Sequence, residues 1–111
     1  MKQDGKKSQL LSAISLCQKA GKIKSGADVV ERIVKDRKAY LLIAASDASK
    51  NSTEKFAQWA RTADIPLIIC STKDELGRAI GKDVRSILAV TDSRFADMIQ
   101  DKAVENGMDQ I

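Results

Sequence analysis

Tyr40-Leu41-Leu42-Ile43-Ala44-Ala45 is a short, unbroken apolar run, preceded by Arg37-Lys38 and followed by the polar Ser46-Asp47. An apolar stretch of this length without alternation fits a strand covered on both faces, not one with a face in water. Leu67-Ile68-Ile69-Cys70 and Ser86-Ile87-Leu88-Ala89-Val90-Thr91 have the same character. Strands buried on both sides need a layer of helices over each face. The intervals between them carry helical spacing.

Upstream, Leu10, Leu11, Ile14 and Cys17 recur at that spacing over residues 8–20, and Gly21 is placed to stop the helix. Ile23, between Lys22 and Lys24, begins a short edge strand. Ser25-Gly26-Ala27-Asp28 has the form of a capping box ahead of Val29, Val30, Ile33 and Val34, the apolar face of a second helix. Downstream, Asn51-Ser52-Thr53-Glu54 reads as another helix start, with Phe56, Trp59, Ala60 and Ala63 along one side. Pro66 ends that connection. Thr72-Lys73-Asp74-Glu75 caps a short helix bearing Leu76, Ala79 and Ile80, closed near Gly81, and Phe95, Met98 and Ile99 build a last one. The expected fold is α/β: a three-layer α-β-α sandwich on a small mixed sheet of about four strands, with right-handed crossovers. The Phe and Trp side chains fall on helix faces and are read as core.

At 111 residues the chain has room for one core. The expected organisation is a flexible N-terminal tail over 1–7, a single domain over 8–104 and a flexible C-terminal tail over 105–111. No apolar run is long enough to cross a bilayer, and Met1 to Lys7 lacks the apolar stretch of a secretory signal, so the cytoplasm is the expected location.

Several chemistries are excluded by what the chain lacks. Histidine is absent, which removes the usual general base, the commonest metal ligand and any Ser-His-Asp triad. Cys17 and Cys70 lie far apart, with neither zinc-site nor disulfide-framework spacing, and are expected to be buried thiols. Gly21 and Gly26 have the gap of a phosphate-binding loop, but Ala27-Asp28 stands where Lys-Ser/Thr is required; Gly77 and Gly81 are too close, and Lys82 is followed by Asp83. No glycine-rich turn follows the first buried strand, as a dinucleotide fold needs. Neither a cofactor nor a metal is expected, and an enzyme acting on a small phosphorylated ligand is disfavoured by the failed glycine motifs and the lack of histidine. Aromatic content is 4%, and the strands lack Phe and Trp, so base stacking on an open sheet is disfavoured.

Charge is unevenly distributed along the chain. Residues 1–63 carry 13 Lys/Arg against 6 Asp/Glu, and residues 64–111 carry 6 against 9. Concentrated positive charge suits an anionic partner, because phosphate contacts gain from local potential and counterion release. The helix start at Ser25 to Asp28 is flanked by Lys19, Lys22 and Lys24, with Arg32 one turn on, so first-turn amides, helix dipole and cations converge. The competing reading is a solvated helix face built from the i, i+4 pairs Asp28–Arg32 and Glu31–Lys35.

Lys19-Ala20-Gly21-Lys22 with Ser25-Gly26, the segment Arg37 to Ser49, and above all Glu75-Leu76-Gly77-Arg78-Ala79-Ile80-Gly81-Lys82 resemble the kink-turn-binding ribosomal protein family of the L-seven-Ae type, and its bacterial YlxQ-like branch, over roughly 10–99. The resemblance implies an α-β-α sandwich without catalytic activity that binds a sharply bent RNA helix-bulge-helix, with structured RNA, ribosomal RNA in particular, as partner. In such relatives Gly-x-Asn-Glu-x-x-Lys enters the major groove and reads sheared G·A pairs. Here Gly26 and Ala27 are followed by Asp28 for Asn, Val29 for Glu and Arg32 for Lys. An ionised Asp28 cannot donate to guanine O6 or N7, and Val29 makes no polar contact. A second RNA-facing element corresponds to Lys82-Asp83-Val84-Arg85-Ser86, with Val84 against an extruded base and Lys82 and Arg85 at phosphates. The expected RNA-contacting set is therefore Lys22, Lys24, Ser25, Gly26, Ala27, Asp28, Val29, Arg32, Lys50, Lys82, Val84 and Arg85. The alternative is a protein-interaction module on the same fold, with a ribosomal or other protein as partner and no membrane. A contiguously basic face across these residues would favour RNA, and an apolar, uncharged one would favour protein.

Overall fold

A computed structural model describes residues 2–105, with side chains over 9–104. Helices α1 (Lys2–Lys19), α2 (Ala27–Lys35), α3 (Lys50–Ala63), α4 (Lys73–Ala79) and α5 (Ser93–Glu105) are interleaved with strands β1 (Ile23–Ser25), β2 (Leu41–Ala44), β3 (Leu67–Ile69) and β4 (Ile87–Val90). The strands form one mixed sheet in the order β1-β4-β2-β3. β2 and β3 are parallel, and β4 runs antiparallel to both β1 and β2.

The unalternated strand sequences are resolved by the sheet itself. Leu41, Ile43, Ile68, Leu88 and Val90 point into one core, beneath Leu10, Ile14 and Cys17 of α1, Leu76 of α4 and Ile99 of α5. Leu42, Ala44, Leu67, Ile87 and Ala89 point the other way, against Val30 and Val34 of α2 and Phe56 and Ala60 of α3. The register agrees: Leu41 opposes Val90 and Ile43 opposes Leu88 on one face, while Leu42 opposes Ala89 and Ala44 opposes Ile87 on the other. β2, β3 and β4 thus each serve two cores, and the three-layer α-β-α sandwich expected from the sequence is present.

The structure corrects several expectations. The first helix begins at Lys2, not Ser8. At the other end α5 reaches Glu105, and residues 106–111 of the expected tail lie outside the described residues. The start of α3 moves back two residues, because Ser49 caps it by accepting the Ser52 amide at 3.1 Å, ahead of the Asn51 cap that the spacing to Glu54 favoured. Val29, expected on the apolar face of α2, is 47% exposed. Trp59, expected as core, is only half-buried, whereas Phe56 is buried completely.

Candidate functional site

Because β1, β2 and β3 run in one direction and β4 in the other, the ends of the first three and the start of the fourth lie together. From that end α2, α3 and α4 set out. Three helix N-termini with their positive dipole ends thus gather at one edge of the sheet, α3 and α4 with side-chain caps and α2 without one.

The turn from β1 into α2 departs from the capping box expected there. Gly26, not Ser25, is the N-cap, with φ 94° and ψ 145°, and no side chain caps the helix. That backbone region is open essentially to glycine alone. The Gly26 amide donates to the Ile87 carbonyl at 3.2 Å, and its carbonyl accepts the first helical bond from Val30. Ser25, freed from capping, accepts at Oγ a hydrogen bond from Arg85 Nε at 3.1 Å. This contact ties the start of α2 to the loop entering β4, sixty residues on.

That loop is itself fastened. Gly81 at φ 72° closes α4, with its amide donating to the Arg78 carbonyl and the Lys82 amide to the Gly77 carbonyl. The chain then passes so close over α4 that a Cβ on Gly77 would run into the Asp83 carbonyl. The Arg85 amide donates to the Lys73 carbonyl at 3.0 Å, and its guanidinium donates a second bond to the Val84 carbonyl. On the far side Asp47 Oδ1 accepts the Lys73 amide at 2.8 Å, and Ser46 donates both its amide and its hydroxyl to the Ser71 carbonyl. The loops after β1, β2 and β3 and before β4 form one braced surface.

The structure brings Ser25, Gly26, Ala27, Asp28, Val29, Lys50, Lys82, Val84 and Arg85 to this end, since all lie at the starts of α2 and α3 or in the loop before β4. It does not bring the remaining expected residues there. The Lys22 carbonyl accepts from Thr91 beyond the opposite end of β4, Lys24 lines a groove with Arg37, Lys38 and Tyr40, and Arg32 lies in the last turn of α2. The contiguously basic face is therefore not formed. Asp28, Asp47 and Asp83 are interleaved with Lys50, Lys82 and Arg85. Val29 and Val84, 47% and 58% exposed, add apolar surface on the two elements that the Ser25–Arg85 bond joins.

Sequence reasoning missed Asp47, Ser71 and Lys73. Ser71 adopts φ 59°, and its buried hydroxyl has no hydrogen-bond partner among the described residues. The Thr72 to Glu75 stretch was legible only as a cap, which it is: Thr72 Oγ1 accepts the Glu75 amide, and Glu75 returns the bond to the Thr72 amide. Nothing local marks Lys73 as the strut between two loops.

Among the described residues no group of His, Cys, Asp and Glu could hold a metal ion, and no helix is long and apolar enough to cross a membrane. The arrangement is that of a binding scaffold: loops locked by backbone bonds, with amides, mixed charge and two exposed valines on a rigid edge. The chain belongs to the ribosomal protein L7Ae/L30e/S12e/Gadd45 family, whose profile matches residues 8–99. It is 33% identical to the RNA-binding protein YlxQ of Bacillus subtilis (strain 168), over 78% of this chain and 86% of that one. It is 26% identical to the RNA-binding protein YlxQ of Enterococcus faecium, over 84% and 89%. Among solved structures it is similar to a Bacillus halodurans protein of unknown function, at a TM-score of 0.81 and 28% identity, covering 84% of this chain and 94% of the other. A Giardia lamblia 15.5kD RNA binding protein shares the fold, at a TM-score of 0.73 and 19% identity, covering 96% and 89%.

Proposed function

We propose that this chain is a non-enzymatic, cytoplasmic RNA-binding protein that grips a bent helix-bulge-helix of ribosomal or similarly structured RNA at the α2 edge of the sheet. The observation that carries the reading is the Ser25–Arg85 bond, which holds the uncapped α2 terminus and the Val84 loop as one unit. An uncapped first turn offers amides to a phosphate. Val84 and Val29 suit an extruded base, and Lys50 and Lys82 suit phosphates on either side. The names of the YlxQ relatives support the RNA-binding part of this reading.

Asp28 and Val29 set its character. Neither supplies the donors that read guanine in the major groove, so binding here leans on backbone shape and phosphate, with weak base discrimination. The substitution pair Asp28→Asn with Val29→Glu is expected to raise the preference for a kink-turn over a variant whose G·A pairs are replaced by Watson–Crick pairs. A good bidentate contact is worth ~1–3 kcal/mol of discrimination, roughly five- to 150-fold. Electrophoretic titration of both proteins against both RNAs checks this. An unchanged ratio with the fold intact would remove the α2 terminus from RNA readout and favour the protein-interaction reading.

A further inference from the structure

Lys24, absent from the α2 edge, belongs to a different cluster of cations. Two grooves lie side by side at the far end of α2 and share one lining residue, Arg37. The first, of about 370 Å³, is lined by Lys24, Arg37, Lys38 and Tyr40, a residue 48% exposed. The second, of about 510 Å³, runs between α2 and α3 and is lined by Lys35, Arg37, Lys55 and Trp59. Among the described residues Glu31 is the only acid lining either groove, and it is paired with Lys35 at 3.6 Å. The single tyrosine and the single tryptophan of the chain therefore stand at the two ends of one basic surface.

Arg37 occupies the junction at a conformational cost. Each of α1 to α4 ends through a left-handed residue whose amide, and that of its successor, turn back onto the last helical carbonyls: Gly21, Arg37, Asp64 and Gly81. Glycine is the residue this closure favours, and Asp tolerates it. Arginine at φ 57° has no such excuse, and its side chain stands over both grooves.

We propose that the surface from Tyr40 across Arg37 to Trp59 is a second nucleic-acid site, which takes an unpaired RNA strand. Bases stack on the two rings, and Lys24, Arg37, Lys38 and Lys55 hold the phosphates between them. Such sites pair cations that track a backbone with aromatic platforms that accept any base. A duplex keeps its bases stacked inside and cannot reach the rings. Lys55 Nζ lies 5.6 Å from the Trp59 ring centroid, so a base arriving there sends the ammonium to its phosphate. An acidic protein segment would be held by the cations alone and has no use for the rings. The inference goes beyond the proposed kink-turn edge and stands apart from it, at the other end of α2.

Trp59 gives a direct readout, since no other tryptophan contributes fluorescence. The full chain is titrated with an oligouridine of about 8 nucleotides, within the usual span of such sites. The expected result is quenching of Trp59, with affinity falling at a log-log salt slope of about 2–3 for four cations. Arg37→Gly, which relieves the left-handed strain and so should raise the melting temperature, is expected to weaken the oligouridine roughly fivefold or more and lower the slope by about 0.7. Tyr40→Leu should weaken it about tenfold, within the range for loss of one stacked base, and Arg85→Ala should leave it unchanged. Absence of quenching, an unaltered affinity in Arg37→Gly, or equal quenching of Trp59 by duplex RNA would overturn the proposal. So would displacement of the oligouridine by an equal concentration of polyglutamate, which would assign the surface to an acidic protein. Failure of the kink-turn edge would show instead as loss of hairpin binding with the Trp59 signal retained.

Discussion

Gly77 stands inside a helix, where alanine would ordinarily be better by ~1 kcal/mol. The Asp83 carbonyl occupies the space that a Cβ would need, and because the obstacle is backbone it cannot swing aside. Gly77→Ala is therefore expected to destabilise the protein by about 1–3 kcal/mol through overpacking, and to weaken RNA binding by shifting Val84 and Arg85. Urea unfolding and RNA titration check the two effects, and an alanine variant as stable as the parent would refute the close packing. The thiol of Cys17 makes a second case at this scale. Burial pushes its pKa up to about 11, with the Asp92 charge adding and Lys22 opposing. Between the ordinary value of 9.0 and about 11 the unfolded chain releases a proton that the folded chain keeps. Stability should thus fall over that window relative to Cys17→Ala, with nothing lost below it. Thiol reagents near neutral pH should reach Cys17 only on unfolding.

Helix starts show how far elements could be read from local sequence. The α4 capping box was fully legible, because both its partners lie within one turn. The start of α3 was missed by two residues, since Ser49-x-x-Ser52 and Asn51-x-x-Glu54 are rival local solutions that no local rule ranks, and the bonds from Ala45 to Ser86 and from Ser46 to Ser71 that fix the chain ahead of them are long-range. The start of α2 was misassigned for a different reason: the partner that removes Ser25 from capping is Arg85, far away in sequence. For α5 the cap went unread. Asp92 Oδ1 accepts the Arg94 amide at 2.9 Å and the Phe95 amide at 3.2 Å. The Phe95 bond foremost, assisted by Arg94, holds this carboxyl below its ordinary 3.8, against a smaller opposing effect of desolvation. The folded-state pKa being the lower, the contribution is complete above 3.8 and is lost as pH falls through the depressed value. Asp92→Ala should therefore be less stable than the parent near neutrality, and the gap should close in acid. A gap independent of pH in thermal melts would mean that the carboxylate does not carry the cap.

At the scale of the molecule, three uniform apolar runs were enough to predict a sheet sandwiched by helices, because only two covering layers can bury both faces of a strand. The strand order was not legible. β4 sits between β1 and β2, and no local feature of residues 87–90 distinguishes a central from an outer place. The segmental charge was legible but misplaced in space. Residues 22–38 run through β1 and along α2, so their cations are divided between the two ends of that helix. This division leaves the α2 edge, the proposed seat of structured RNA, a mixed surface organised by backbone and by the Ser25–Arg85 bond. Amide chemical shifts of the isotope-labelled chain, followed during titration with a kink-turn hairpin lacking single-stranded tails, test that seat most directly. The largest changes are predicted at Gly26 to Val29, Lys50 and Lys82 to Arg85, with little change at Leu16 or along α5. Changes centred on the α1–α5 face, with the residues around Gly26 and Val84 undisturbed, would contradict the account.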